Sequence, residues 1–272
     1  MWTEIIANAL QSLGHQVAFH YHNRKQAGDR LALAGRTLLG EERQAAWARR
    51  HRRQLLAAMQ SGQWDLLLSI QGKLDAATVH QLRTQSPGLR VIFWWGDILT
   101  DKGRDNIEQA AAFSDRILVS YRGSYERLRP VFGDRLVYFP FAASPTYHTG
   151  PEITARERRR FTTDVAFVGT CYPERCALIR HLNTRLDTPV RVWGRGWKNC
   201  PGINSHGVLS LQDSLKVYAS SRISLNLHHR DTDNGFNMKF YEIPAAHCFQ
   251  LCVWQPAREA APLGRHTNAC RA

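Results

Sequence analysis

Two ionisable residues of opposite sign, Lys239 and Glu242, stand three positions apart in DNGFNMKFYEIPAAHC, residues 233–248. On a helix that spacing puts both side chains on one face. A cation and a carboxylate side by side can hold an anionic diphosphate and a sugar's hydroxyls. The same spacing also makes a surface ion pair worth ~0.2–0.5 kcal/mol. What lies before the pair argues for a ligand. Ile223, Leu225 and Leu227 alternate with Ser224, Asn226 and His228, which is the pattern of a strand, and a polar loop containing Gly235 follows at 229–237. Asn237 is placed to cap the next helix, and Phe249, Leu251 and Val253 read as the next strand. Ligands of open parallel sheets bind beyond the C-terminal ends of strands, where a helix start offers free N–H groups to phosphate. His228 and His229, at the end of the first strand, are further candidates to touch a donor.

Three other places carry residues suited to the same chemistry. The strand 164–169 ends in Gly169, and a Gly194-Arg195-Gly196 turn follows the strand 190–193. Two glycines suit close backbone approach to a ligand, and Arg195 can pair with phosphate in a bidentate way. Asn199 occupies the last glycine position of a G-x-G-x-x-G fingerprint, so no dinucleotide site is expected. Asp97 closes WWGD after the strand 90–95, where a carboxylate can orient or deprotonate an acceptor hydroxyl, or simply cap a helix. Trp94 and Trp95 beside it suit either a sugar ring or the core.

The 233–248 segment resembles the donor-binding segment of GT-B glycosyltransferases, and most closely the CgeB-type (spore-maturation-like) family with its G-x-N-x-[RK]-x-[FY]-E pattern. Gly235, Asn237, Lys239, Tyr241 and Glu242 match it. The resemblance covers about residues 1–254. It implies two Rossmann-like domains with parallel sheets facing across a cleft, a nucleotide-sugar donor and no metal. It also implies that Glu242 meets the ribose hydroxyls and that Asp97 stands on the acceptor side. Two positions depart from the pattern. Asn234 stands where a first glutamate is usual, and His247 where a small glycine is usual.

Composition sets the frame. The chain has 272 residues, 43% of them hydrophobic, enough for packed cores. It has no run of about 18 apolar residues and no signal peptide at its start, so a cytoplasmic protein is expected. The net charge of +13 implies an anionic partner. That could be a nucleotide-linked substrate, a peripheral anionic membrane surface reached by Arg49, Arg50, Arg52 and Arg53, or nucleic acid, for which no reading motif is present. The six cysteines include no C-x-x-C pair and are read as reduced thiols, with no metal site and no cofactor expected.

In chain order the pattern is helix 2–13, strand 17–22, a basic helix 41–61, strand 64–72, helix 75–84 and strand 90–95. Helix 104–113, strand 116–120, helix 122–129 and strand 135–139 follow. Pro140, Pro145, Gly150 and Pro151 interrupt the series, which divides an acceptor-side domain at 1–145 from a donor-binding domain at 155–272. The second series runs through strand 164–169, helix 174–186, strand 190–193 and helix 211–220, the last capped by Ser210 with Asp213. No strand is expected after Trp254. Both ends fall short of the family's pattern, so the isolated chain is expected to be marginally stable. The leading reading is a metal-independent glycosyltransferase. A non-catalytic binder of nucleotides or polyanions and a basic surface-binding protein are the alternatives.

Overall fold

The computed structural model describes residues 2–20, 40–60, 62–72, 74–229, 232, 234–254 and 267–270. They form two compact units, Met1–Phe139 and Pro140–Ala272, each an α/β structure on its own parallel sheet.

In the first unit β1 (Leu66–Ile70), β2 (Arg90–Trp95), β3 (Arg116–Val119) and β4 (Leu136–Tyr138) pair in sequence order, all parallel. Parallel strands need a crossover between them, and helices Ala76–Gln85, Asp101–Ala111 and Arg122–Phe132 supply it. Each crossover begins where its sequence allows. Asp75 accepts the Thr78 N–H at 2.6 Å and Thr100 accepts that of Gly103, so two orphan helix donors are satisfied by capping side chains. Val79, Leu82, Val91, Phe93, Ile107, Ile117, Val119 and Leu128 form the core. The Asp115 carboxylate fastens the sheet by accepting from the Val91 N–H at 2.7 Å and from Arg83 at 2.9 Å.

Trp94 and Trp95 are both packed within the first unit. Trp94 is buried and donates its indole N–H to Ser120 Oγ at 2.8 Å. Trp95 packs against the core, and helix 101–111 reaches it only because position 103 is glycine, whose Cβ would lie 2.8 Å from the indole. The strand expected at 17–22 does not form over 17–20, and residues 21 and 22 lie outside the described set. Apolar alternation makes no strand without a neighbour to complete its ladder, and among the described residues no strand pairs with the outer edge of β1.

In the second unit β5 (Thr163–Val168), β6 (Arg191–Trp193), β7 (Ser221–Asn226), β8 (Phe249–Val253) and β9 (Thr267–Cys270) lie in the order β6-β5-β7-β8-β9, again all parallel. Helices Pro173–Asn183, Leu211–Ala219 and Lys239–Ala245 connect them, preceded by Pro145–His148 and Ala155–Phe161. β7 is buried on both faces at its C-terminal end, as a central parallel strand should be. β9 corrects the expectation that no strand follows Trp254. Thr-Asn-Ala-Cys is too short and too polar to signal a strand, and it forms because β8 offers a free edge for backbone pairing.

The reading of all six cysteines as reduced thiols is also corrected. Cys176 and Cys200 form a disulfide across 24 residues, their Cα atoms 5.8 Å apart. Helix 173–183 and the turn at 197–199 bring them together, a tertiary juxtaposition that no sequence spacing announces.

Candidate functional site

The strand order of the second sheet reverses at β5, whose neighbour on one side is β6 and on the other β7. Open α/β sheets bind ligands beyond the strand ends at such a switch point. The chain leaves β5 through Gly169, Thr170 and Cys171, and leaves β7 through Leu227, His228 and His229. Between these exits stands Arg175. It donates to the Thr170 carbonyl at 3.0 Å and to the Leu227 carbonyl at 2.6 Å, so its guanidinium bridges the two strand ends. Its cation also faces the rings of Tyr172 at 4.8 Å and Phe167 at 5.7 Å.

Lys239, Glu242 and His228 complete the group. Glu242 is 7% exposed and His228 8%. The surface ion pair is therefore excluded as a reading of Lys239 and Glu242, since the carboxylate is inside the protein and no nitrogen–oxygen contact within salt-bridge distance joins the two. Burial lowers the Lys239 pKa and the nearby Arg175 cation lowers it further, against the attraction of Glu242. Burial raises that of Glu242, against the attraction of Lys239. Burial also lowers the pKa of Arg175. Burial thus disfavours the charged form of all three groups. Burial, then Arg175 and Lys239, depress His228 to about 4. It is a neutral imidazole at pH 7, and neither of its buried ring nitrogens has a hydrogen-bond partner among the described residues. Buried polar atoms left unpaired in a native protein call for a ligand or water.

The donor loop is built by an amide chain. Asn237 Nδ2 donates to Asn226 Oδ1 at 3.0 Å, Asn226 Nδ2 to Gln250 Oε1 at 3.1 Å, and Gln250 Nε2 to the Phe240 carbonyl at 3.4 Å. Two strands, the loop and the helix are tied together inside a low-dielectric interior, where fully satisfied networks specify one arrangement. Asn237 also acts as the expected cap, its Oδ1 accepting the Phe240 N–H at 3.2 Å. The N–H groups of Phe240, Tyr241 and Glu242 are taken by Asn237 and Met238 carbonyls. Gly235 is buried in the loop beside Phe236, whose ring stacks on Phe240 at 3.8 Å.

The remaining candidates separate. Gly194 approaches the Gly169 backbone closely, whereas a Cβ on Gly169 would meet the Phe167 ring at 2.9 Å. A Cβ on Gly194, whose φ is 142°, would sit 1.9 Å from the Gly169 carbonyl oxygen. Glycine at 194 lets the exits of β5 and β6 converge. Arg195 is exposed, and its carbonyl accepts the Cys171 N–H at 2.8 Å. Asp97, in the other unit, is exposed at the end of β2 and accepts the following N–H of Ile98 at 2.8 Å. It caps no helix, since Thr100 holds that position. Tyr121 is near enough that burial, and after it the Asp97 charge, push its hydroxyl above the usual range.

Both departures from the family pattern have backbone accounts. Asn234 has φ 40°, and asparagine tolerates the left-handed region better than glutamate. His247 has φ 60° at the residue after the helix C-cap, with its N–H bonded to the Pro244 carbonyl and that of Cys248 to the Ile243 carbonyl. That is a Schellman arrangement, which favours glycine. Because His247 is exposed, His247→Gly should stabilise by about 0.5–1 kcal/mol. The corresponding thermal shift is about +2 °C, and an unchanged or lowered melting temperature would contradict it.

His228 carries a pH prediction. An unfolded histidine takes its proton near pH 6.5, and the folded one only at about 4. Between those values the unfolded chain binds more protons, so stability falls as pH drops, by roughly 3 kcal/mol at most. The raised Glu242 acts in the opposite direction. Comparison of urea unfolding at pH 6.5 and 4 in His228→Gln and the parent isolates the histidine. The variant should lose less stability, and equal losses would show that His228 takes its proton at an ordinary pH.

Arg175 was missed by sequence reasoning. The available signal was its position in the first turn of a helix, Pro173–Asn183, where the macrodipole disfavours a cation. Cys171, Cys176 and Cys200 are the one group among the described residues whose donor atoms gather as metal ligands would, within 4.8 Å. Cys176 and Cys200 are spent in the disulfide, so they are not thiolates.

Residues 174–261 match the glycosyl transferase-like family model. The match spans Arg175, Arg195, His228, Gly235, Asn237, Lys239 and Glu242. The fold is similar to that of a glycosyltransferase from Rickettsia africae ESF-5, at 10% identity over 98% of this chain and 79% of that one, with a TM-score of 0.56. It is similar at a TM-score of 0.50 to a Candida albicans trehalose-6-phosphate phosphatase N-terminal domain, with 10% identity, 79% of this chain and 62% of that one. A sucrose-phosphate synthase from Thermosynechococcus elongatus gives 0.47 at 10% identity over 72% of this chain. The chain spans 58% of that synthase and 62% of the Candida domain. A comparison with curated proteins finds no match. Two α/β units on parallel sheets, with the likeness to the Rickettsia glycosyltransferase, make the fold that of the GT-B class. No helix among the described residues is long and apolar enough to cross a membrane.

Proposed function

We propose that the chain binds a nucleotide-activated sugar in its second unit, Pro140–Ala272, and transfers the sugar to an acceptor held by its first. The observation that carries this is the group at the β5/β7 switch point, where the half-buried Arg175 and Lys239 and a buried histidine with two unpaired nitrogens gather beside one buried carboxylate. Two cations against one carboxylate leave positive charge that a diphosphate would neutralise.

In this reading Lys239 and Arg175 hold the diphosphate and stabilise the charge that grows on it as the sugar departs, which is electrostatic catalysis without a metal. His228 donates one ring N–H to the donor sugar or its phosphate and keeps the other nitrogen as an acceptor. Glu242 accepts from the nucleoside hydroxyls. Gly235 and Asn237 shape the loop, and Arg195 reaches the donor from the exposed turn. Asp97 orients or deprotonates the acceptor hydroxyl, with the neutral Tyr121 phenol beside it. In this reading the match of Gly235, Asn237, Lys239, Tyr241 and Glu242 to the G-x-N-x-[RK]-x-[FY]-E pattern favours a CgeB-type enzyme.

Thermal shift against a panel of nucleoside diphosphates and nucleotide sugars tests the site. A ligand at about 100 times its dissociation constant should stabilise by ~2.7 kcal/mol. No shift with any member would remove the donor site. A second reading, a binder without transfer, is favoured by Asn234, which puts an uncharged residue in the left-handed turn where the family pattern has a glutamate. Release of free nucleoside diphosphate from the bound nucleotide sugar separates the two.

A further inference from the structure

The disulfide Cys176–Cys200 has a third sulfur beside it. Cys171 is a free thiol, and the Sγ atoms of the three cysteines all lie within 4.8 Å of one another. Each comes from a different local element. Cys171 is in the turn leaving β5, Cys176 in helix 173–183, and Cys200 closes the turn at 197–199. The Cys171 backbone is held in place by its N–H bond to the Arg195 carbonyl at 2.8 Å, and its Cβ would lie 3.3 Å from a Cβ on Gly196, so glycine there leaves room for it. Cys171 is only half-buried. Cys248 and Cys252, also in this unit, are buried and lie outside the group.

We propose that Cys171, Cys176 and Cys200 form a thiol–disulfide exchange centre, open to low-molecular-weight thiols and disulfides, in which Cys171 displaces either partner of the existing bond. Cys171 loses its proton to solvent and its thiolate attacks Sγ of Cys176. The 171–176 sulfur–sulfur bond forms, the 176–200 bond breaks, and Cys200 leaves as a thiolate that takes up a proton. The mirror step attacks Cys200 and releases Cys176. Neither consumes an oxidant. Exchange needs thiolate and access, and the sulfur separation supplies the proximity. Burial raises the Cys171 thiol, with the Arg175 cation opposing, so exchange accelerates with rising pH.

Trypsin makes the test direct, because Arg160, Arg175 and Lys198 are cleavage points that put the three cysteines on separate peptides, 161–175, 176–180 and 199–216. The whole oxidised chain is incubated at pH 8.5 with a trace of glutathione, alkylated, digested and mapped by mass spectrometry. The expected result is cross-linked 161–175 with 176–180 or with 199–216, together with alkylation spread over Cys171 and the released sulfur. Oxidation of Cys200→Ser by oxidised glutathione should likewise give the 171–176 bond, and Cys176→Ser the 171–200 bond, with circular dichroism checking the fold. Alkylation confined to Cys171 in the parent at every time point would overturn the proposal. So would the absence of a new cross-link in both folded variants. The readout does not depend on donor binding.

Discussion

Gly194→Ala should cost about 4 kcal/mol or more, a loss on the scale of a whole domain's stability. The argument is steric. A Cβ at position 194 falls 1.9 Å from the Gly169 carbonyl oxygen and 2.6 Å from its carbon, and both are backbone atoms that no rotamer can move aside. Relief requires β5 and β6 to part where the Gly169 N–H bonds to the Trp193 carbonyl at 2.8 Å, and it breaks the Gly194 N–H bond to the Gly207 carbonyl at 2.8 Å. Trp193 and Phe167, nearly fully buried on those strands, would be displaced with them. Gly202→Ala is the control. Its φ is 80° but its Cβ meets nothing within 4 Å, so only backbone strain of about 1–2 kcal/mol is paid. Urea denaturation should therefore show Gly194→Ala folding poorly and Gly202→Ala folding with a modestly lowered midpoint. Equal midpoints would show that the two strand exits do not converge as described.

That contrast illustrates what the residues announced and what they did not. A strand such as Arg90–Trp95 was legible to the residue because β-branched and aromatic residues lie between turn signals, and the βα alternation gave both parallel sheets. Glycines at 169 and 194 were legible as special positions, but whether the close neighbour is a ligand or another glycine depends on strand pairing, which a single sequence does not encode locally. The same limit hid Arg175. Its partners are the carbonyls of Thr170 and Leu227, the second 52 residues away. It hid the Asn237–Asn226–Gln250 chain as well, although each of those amides was visible by itself. The Lys239 and Glu242 pair was found from helical spacing, yet spacing could not tell a solvated pair from a buried one. The 17–22 segment and β9 failed in opposite directions. One had the pattern without a neighbouring strand, and the other has a neighbour without the pattern.

Lys239→Met should weaken nucleoside diphosphate roughly 10- to 150-fold while leaving nucleoside binding nearly unchanged. Methionine keeps most of the buried stem, so the substitution removes the charge more than the packing. The lost contact is a charge-assisted hydrogen bond of ~1.5–3 kcal/mol, which converts to that range of dissociation constants. Arg175, bridging the strand ends, remains and keeps part of the phosphate affinity. Glu242→Gln should behave differently. It retains shape and one acceptor but removes the charge that favours hydroxyl donors, so diphosphate and nucleoside should weaken by about the same factor. Burial raises the pKa of that carboxyl, against Lys239, so Lys239→Met should raise it further and make nucleoside binding fall at a higher pH than in the parent. Isothermal titration of a nucleoside and its diphosphate, at two pH values on the three proteins, separates these effects. If both substitutions leave both ligands unaffected in a folded protein, the buried pair is structural and the donor lies elsewhere. If they weaken both ligands alike, the division of labour between Lys239 and Glu242 is wrong while the location stands.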